Sequence, residues 1–242
     1  IGLSRGTKTI DNKVVSANQL LLTWAETNGG IPGAEEYDLE WTPVEGSVKP
    51  VNEEKLFKNN ATRITTSGNE YLISLIYTTK YLAIRMRQVH YNPEGIRLEG
   101  TWDYKKSDGT TAYWDISTKW HEPNLNWQYS ASFAEEGKKK EVINYFDGTL
   151  RGRQTVTTSS DSVAVVQENV YDEFGRPAAS ILPAPTRDNP DNAATLHHYK
   201  NFNLNNNASP YSFRDIVNGC EISSGMLSSA TSGMSGAFAT RI

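Results

Sequence analysis

Disulfide chemistry is excluded within this chain, because Cys220 is its single cysteine among 242 residues. With no base and orienting group beside it in sequence, Cys220 reads as a small buried side chain rather than a nucleophile. Long apolar runs are also missing. Nothing approaches the roughly 18 to 20 residues that span a bilayer, and no charged-then-apolar leader opens the chain, so direct membrane insertion is not expected. A cationic excess is lacking as well: the net charge is -4, which leaves nothing to neutralise a phosphate backbone, and no nucleic-acid partner is expected. The one basic run, Lys138-Lys139-Lys140, follows Glu135-Glu136-Gly137 and reads as a solvated hairpin tip.

Metal-ligand spacing is absent too. His90, His121, His197 and His198 have neither cysteine partners nor an i,i+4 pair, and His197 and His198 on a strand would face opposite ways. The carboxylates are scattered through turns, which leaves a hydrolase little support, and neither catalytic residue, metal nor cofactor is expected. Ala-Leu-Glu-rich helical runs are scarce, whereas Gly, Thr, Ser, Asn and Tyr abound. That composition predicts an all-β protein, and the length suits two domains. The chain opens on Ile1 without a methionine and closes on Ala237 to Ile242 without a stop signal, and so reads as a section of something longer.

The first half alternates at strand period. Val14 to Trp24 predicts a strand with Leu20, Leu22 and Trp24 on one side, and Asn28 to Gly33 is turn chemistry. Tyr37-Asp38-Leu39-Glu40-Trp41 follows, with Tyr37, Leu39 and Trp41 inward and the acids on a wet face. Further strands are expected at Glu70 to Ile76, Tyr81 to Tyr91 and Ile96 to Tyr104, with a turn at Asn92-Pro93-Glu94-Gly95. In Tyr81 to Tyr91, Leu82, Ile84 and Met86 share one face while Arg85 and Arg87 share the other. Short strands at this spacing with an early inward tryptophan indicate a sandwich.

Trp24, the Tyr37 to Trp41 strand and Ile84-Arg85-Met86-Arg87 resemble strands B, C and F of a fibronectin type III domain, over residues 10–105. In that register the family's corner tyrosine falls on Leu82 while the tyrosine here is Tyr81, so either a bulge shifts it or the corner is absent. Thr78-Thr79 stand where the family has Pro-Gly. Trp24, Tyr37 and Trp41 read as core. The less regular Trp102, Tyr104, Tyr113, Trp114 and Trp120 suit an interface between the two halves, or a sugar-binding surface.

Residues 127–182 read as a long antiparallel meander. Trp127, Tyr129, Ala131 and Phe133 alternate with polar residues; Val142 to Phe146 returns; Leu150 to Thr158 and Val163 to Tyr171 make a further pair across Ser159 to Ser162. Ile181-Leu182-Pro183-Ala184-Pro185 is expected to interrupt the ladder, because two prolines remove donors. Ser209 followed by Pro210 predicts a short helix to Val217, and the Ser/Gly-rich tract Ser223 to Gly236 an irregular stretch.

Two turns share an order of aromatic, Asp, Gly and Arg: Tyr145, Asp147, Gly148 and Arg151, then Tyr171, Asp172, Gly175 and Arg176, the tyrosines 26 positions apart. Such a period marks a stacked repeat rather than a catalytic motif. Tyr171-Asp172-Glu173-Phe174-Gly175-Arg176 matches the "Tyr-Asp-x-x-Gly-Arg" unit of the RHS or YD-repeat family, and the first copy is a degenerate one. The string from Asn126 through Ala178 is similar to the front portion of large RHS proteins of Bacteroidota, after a fibronectin-like module. The resemblance implies a fibronectin type III-like β-sandwich at 10–105, the start of an RHS/YD-repeat β-sheet of shell type at 106–186, and a connector at 187–242. It implies a non-catalytic segment of a secreted or cell-surface protein whose shell encloses the downstream part of the same polypeptide, often a toxin. An outer-membrane export machinery, the type 9 translocon, is the further partner it suggests. The family's self-cleaving core carries paired "Asp-Pro-x-Gly" motifs, which this sequence lacks; Asn189-Pro190-Asp191-Asn192 does not match. The competing reading is a carbohydrate-binding or adhesion module with exposed aromatics.

Overall fold

The computed structural model describes residues 2–5, 8–10, 13–15, 19–24, 35–44, 53–58, 60–103, 113–116, 121–159, 163–186, 196–204, 209–215 and 239–241. The protein is all-β with antiparallel sheets. It divides into two compact units, one of residues 1–123 with 132–139 and the other of 124–131 with 140–242.

In the first unit, β1 (Gly2–Arg5), β2 (Lys8–Ile10), β3 (Lys13–Val15) and β4 (Gln19–Thr23) precede β5 (Glu36–Val44). The helical turn α1 (Glu53–Leu56), β6 (Thr62–Thr66), β7 (Glu70–Ser74), β8 (Tyr81–Tyr91), β9 (Arg97–Glu99) and β10 (Tyr113–Asp115) complete it. The apolar stretch expected as one strand from Val14 to Trp24 is two: β3 forms a hairpin with β2, and β4 joins β1 and β7. The sheet β1-β4-β7 and the sheet β10-β8-β5-β6, with β9 beside β8, share one core. That core holds Leu20, Leu22, Trp24, Tyr37, Leu39, Trp41, Leu82, Ile84 and Met86, as their alternation requires. Trp24 meets Tyr37 edge to face at 5.5 Å. Tyr113 and Trp114, read from sequence as interface or sugar surface, are buried. Tyr104 and Trp120 lie outside the described residues, as do the turn 28–33 and the tract 223–236.

The second face of β5 is not wet. Asp38 is 1% exposed and Glu40 6%. The register sets Asp38 opposite Arg87 and Glu40 opposite Arg85, and the pairs close at 2.8 and 2.5 Å. Arg63 reaches Glu40 at 2.8 Å and Arg97 reaches Asp38 at 2.6 Å. Burial alone would raise the Asp38 pKa, but hydrogen bonds from Arg97, Thr65 and Arg87 outweigh it and hold the carboxyl below its ordinary value. Alternation predicted the facing; it could not reveal that arginines on both neighbouring strands would cover the acids. Trp102 lies over Arg85, Arg87 and Arg63 at 4.2, 4.6 and 5.1 Å, so its ring face is occupied by guanidinium groups. The β5–β8 register runs without a break from Glu36 to Val44, so no bulge shifts Tyr81, which packs beside Val44, Phe57, Ala83 and Tyr113.

The tip 132–139 belongs to this unit and is less solvated than its lysines suggested. Lys139 Nζ donates to the Leu72 carbonyl at 3.0 Å, and Gly137, at φ +71°, is buried with Tyr71 and Ile64 beside it. Phe133 meets Trp41 edge to face at 6.3 Å.

In the second unit a single sheet runs β11 (Asn126–Phe133), β12 (Lys139–Phe146), β13 (Gly152–Thr158), β14 (Ala164–Tyr171), β15 (Pro177–Pro185), β16 (Ala239–Arg241), in sequence order. β15 stays extended through Pro183 and Pro185, and its ladder with β14 is interrupted there, as the two prolines predict. A register shift between Val166 and Glu168 absorbs the extra residue, and among the described residues β16 pairs with Ala179 to Ile181, ahead of Pro183 and Pro185.

One face of this sheet carries Ile143, Tyr145, Val156, Val166, Val170, Ala179 and Ile181, all buried. Residues 196–204 and 209–215, part of the stretch expected as a connector, pack there. Gln154 clamps the Tyr199 backbone, accepting from its N–H at 2.8 Å and donating to its carbonyl at 3.1 Å. Phe202 and Phe213 cover Val170, Ala179 and Ile181. His198 stands against Tyr145 and His197 stacks on Tyr199 at 3.9 Å. The helical turn at 213–215 is capped by Ser212 rather than Ser209: Ser212 N donates to Asp215 Oδ2 at 2.7 Å and Asp215 N to Ser212 Oγ at 3.3 Å. Pro210 instead bridges Leu204. The opposite face is polar, with Thr155 bonded to Asn144 at 2.8 Å and Ser180 to Asn169 at 3.1 Å.

Candidate functional site: two adjoining hairpin tips

The β12–β13 and β14–β15 turns lie at the same end of the sheet, two strands apart, which at ordinary strand spacing is roughly 10 Å. Their backbones close alike. In the second, Asp172 N donates to the Arg176 carbonyl and Gly175 N to the Asp172 carbonyl, both at 2.9 Å. In the first, Asp147 N donates to Arg151 and Leu150 N to Asp147, both at 3.0 Å. Each is a type I turn followed by one left-handed residue, a common short hairpin connection.

Equivalence of these bonds corrects the alignment drawn from sequence. Asp147 corresponds to Asp172, and the left-handed position of Gly175 (φ +77°) is filled by Leu150 (φ 61°), not by Gly148. Phe146, not Tyr145, stands where Tyr171 does. Tyr145 is instead 2% exposed on the covered face, its hydroxyl donating to the Leu196 carbonyl at 3.3 Å. The aspartates therefore set a period of 25 residues. Matching letters misplaced it because a glycine draws the eye to a position whose φ does not need one.

The aspartates organise both tips. Asp147 Oδ1 accepts from the Thr149 hydroxyl at 2.6 Å and from the Thr149 and Arg151 amides at 2.8 and 3.0 Å; Oδ2 accepts from Arg153 Nε at 3.0 Å. Asp172 Oδ1 accepts from the Phe174 and Arg176 amides at 2.9 and 2.8 Å, and Oδ2 from Arg176 Nε at 2.7 Å. The Thr149 hydroxyl above all, then the Arg151 amide, hold Asp147 far below the ordinary carboxylate range. The Arg176 amide does most of the same work at Asp172.

The arginines differ. Arg176 closes on its own Asp172 and lies over Phe174 at 5.2 Å. At the first tip Arg153 takes that carboxylate, which releases Arg151 to reach the neighbouring tip. There its guanidinium lies against Gly175, where any Cβ would overlap it, and 5.9 Å over the Tyr171 ring. Arg153 covers the same ring at 4.6 Å, and the Tyr171 hydroxyl donates to the Gly152 carbonyl at 3.0 Å. Arg151, Gly152 and Arg153 of the first hairpin thus meet Tyr171 and Gly175 of the second, a directional interlock.

The backbone pattern alone is not specific to a repeat. Asn92 N donates to the Ile96 carbonyl, Gly95 N to Asn92, and Ile96 N to Asn92 Oδ1 at 2.7 Å, with Gly95 at φ +76°. That turn in the first unit has the same geometry without an arginine. The interlock, and not the turn, distinguishes residues 145–176.

Beside the first tip is an open cleft of about 510 Å³ lined by Leu125, Asn126, Trp127, Phe146 and Leu150. Leu150 is 72% exposed and Phe174 78%. Nothing in the sequence marked the cleft except the alternation that includes Trp127. Among the described residues no group of three His, Cys, Asp or Glu side chains is placed to hold a metal ion, and no helix is long and apolar enough to cross a membrane.

The fold and these tips define an antiparallel all-β protein with a short tandem of Asx-anchored hairpins. A family model described as "Domain of unknown function (DUF6443)" matches residues 118–218, which contain both tips, the interlock and the covering segment. No curated protein and no solved structure matches the chain.

Proposed function

We propose that the chain is a non-catalytic wall segment of a larger secreted or cell-surface protein of the RHS/YD-repeat type, preceded by a fibronectin type III-like module. In this reading the β11–β16 sheet begins a ribbon that encloses the downstream part of the same polypeptide, and export through the type 9 translocon is part of the proposal. The observation that carries it is the interlock: Arg151 against Gly175 and over Tyr171 ties consecutive tips in one direction, as a growing ribbon needs. The sheet orders β1-β4-β7 and β10-β8-β5-β6 support the fibronectin-like part. Limited proteolysis tests the wall reading. Cleavage near β15 and β16 should be rapid in the isolated 242 residues and suppressed in the natural full-length product; equal rates would count against it.

A second reading, carbohydrate binding, has the Trp127 and Phe146 cleft in its favour, since aromatic faces with a nearby amide suit a sugar ring. Glycan-array binding lost on Trp127→Ala would establish it, and an empty array would remove it.

A further inference from the structure

Glu168 projects from β14 onto the covered face, between Val166 and Val170, which are buried. Its neighbour across on β13 is Gln154, whose amide clamps Tyr199 of the covering segment. Its neighbour across on β15 is Ile181, which packs with Phe202 and Phe213 of the same cover. Glu168 Oε2 is buried and has no hydrogen-bond partner. Glu168 as a residue is half-buried, and the residues on both sides of it are ones that hold the cover down.

The other titratable groups near this face are engaged elsewhere. On β13, Arg153 bonds Asp147 and is the charged group whose field reaches Glu168. In the cover, His197 stacks on Tyr199 and His198 meets Tyr145 edge to face. Lys200 is exposed, Arg214 pairs with Glu173 at 3.3 Å, and Asp215 caps Ser212. On β12, Glu141 accepts from the Tyr129 hydroxyl at 2.8 Å.

We infer that Glu168 is a pH-sensitive latch: neutral, it lets residues 196–204 and 209–215 seat on the sheet, and ionised, it loosens them and opens the covered face. Burial, only partly offset by Arg153, pushes its pKa up to about 7. When the cover lifts, water reaches the carboxyl and its affinity for the proton drops towards the ordinary value. The closed form is therefore fully favoured below that ordinary value and loses ground as pH rises towards about 7. This device is independent of whether the chain is part of a shell.

Hydrogen exchange of the amides of 196–204, corrected for intrinsic rates, tests it on the whole chain at pH 5.5 and 8.5. Protection should fall roughly 10- to 100-fold at the higher pH in the natural chain and stay level in Glu168→Gln. Equal protection at both pH values in the natural chain would overturn the inference, as would an undiminished fall in Glu168→Gln. Loss of the fold in Glu168→Gln would overturn it too, because that variant mimics the neutral form; Glu168→Met, also uncharged, must then agree.

Discussion

Substituting Gly175 by alanine probes the interlock directly. Two costs arise at that position. A non-glycine residue at φ +77° carries about 1–2 kcal/mol of left-handed strain. The new methyl also overlaps the Arg151 guanidinium, which must swing away and lose its place over Tyr171, a contact worth about 0.5–1 kcal/mol near the surface. Together these come to about 2 kcal/mol, a roughly 30-fold change in the opening equilibrium of the sheet. Strain alone is tolerable: Leu150 occupies the same position at φ 61° in the first tip, where its side chain is mostly in water. The double-mutant cycle with Arg151→Ala separates the two terms. In that background Gly175→Ala should cost only the strain, leaving a coupling of about 0.5–1 kcal/mol. Hydrogen exchange of the β14–β15 ladder amides reads these values for this sheet by itself. Equal costs in both backgrounds would refute the interlock.

Other expectations follow from the same geometry. Leu150→Gly removes left-handed strain with little burial to lose, so it should stabilise the β12–β13 hairpin by about 0.5–1 kcal/mol in the same exchange experiment. Asp172 has its pKa lowered by the Arg176 amide and side chain, so the second tip should be stable above the ordinary carboxylate range and loosen as pH falls below it; Asp172→Asn should flatten that dependence in an NMR titration of the tip amides. Asp38→Ala removes the buried acceptor of Arg87 and Arg97, which keep Glu99 as a second partner, and should lower the stability of the first unit by about 1–3 kcal/mol in thermal unfolding.

Strand facing was legible in the sequence wherever large apolar residues alternated: Tyr37, Leu39 and Trp41, and Leu82, Ile84 and Met86, lie where period two puts them. Polar burial was not, because whether Asp38 meets water depends on Arg87 and Arg97, which lie 49 and 59 residues away in the chain. The second tip was legible because each of its residues does a local job that its letter announces. The first was misaligned because Leu150 sits where glycine is the usual choice. Prolines at 183 and 185 announced an interrupted ladder, and a register shift falls opposite them. The cover at 196–204 and 209–215 has no periodicity at all; its hold depends on single contacts such as Gln154 with Tyr199, which only the fold brings together.

Electron cryo-microscopy of the natural full-length product would show the proposed wall itself. The β11–β16 sheet should continue into further strands beyond β16, successive tips should repeat the arginine-over-glycine contact, and the ribbon should enclose polypeptide density. A β11–β16 sheet that ends at β16 in a closed, freestanding domain, with no strands continuing it, would contradict the account.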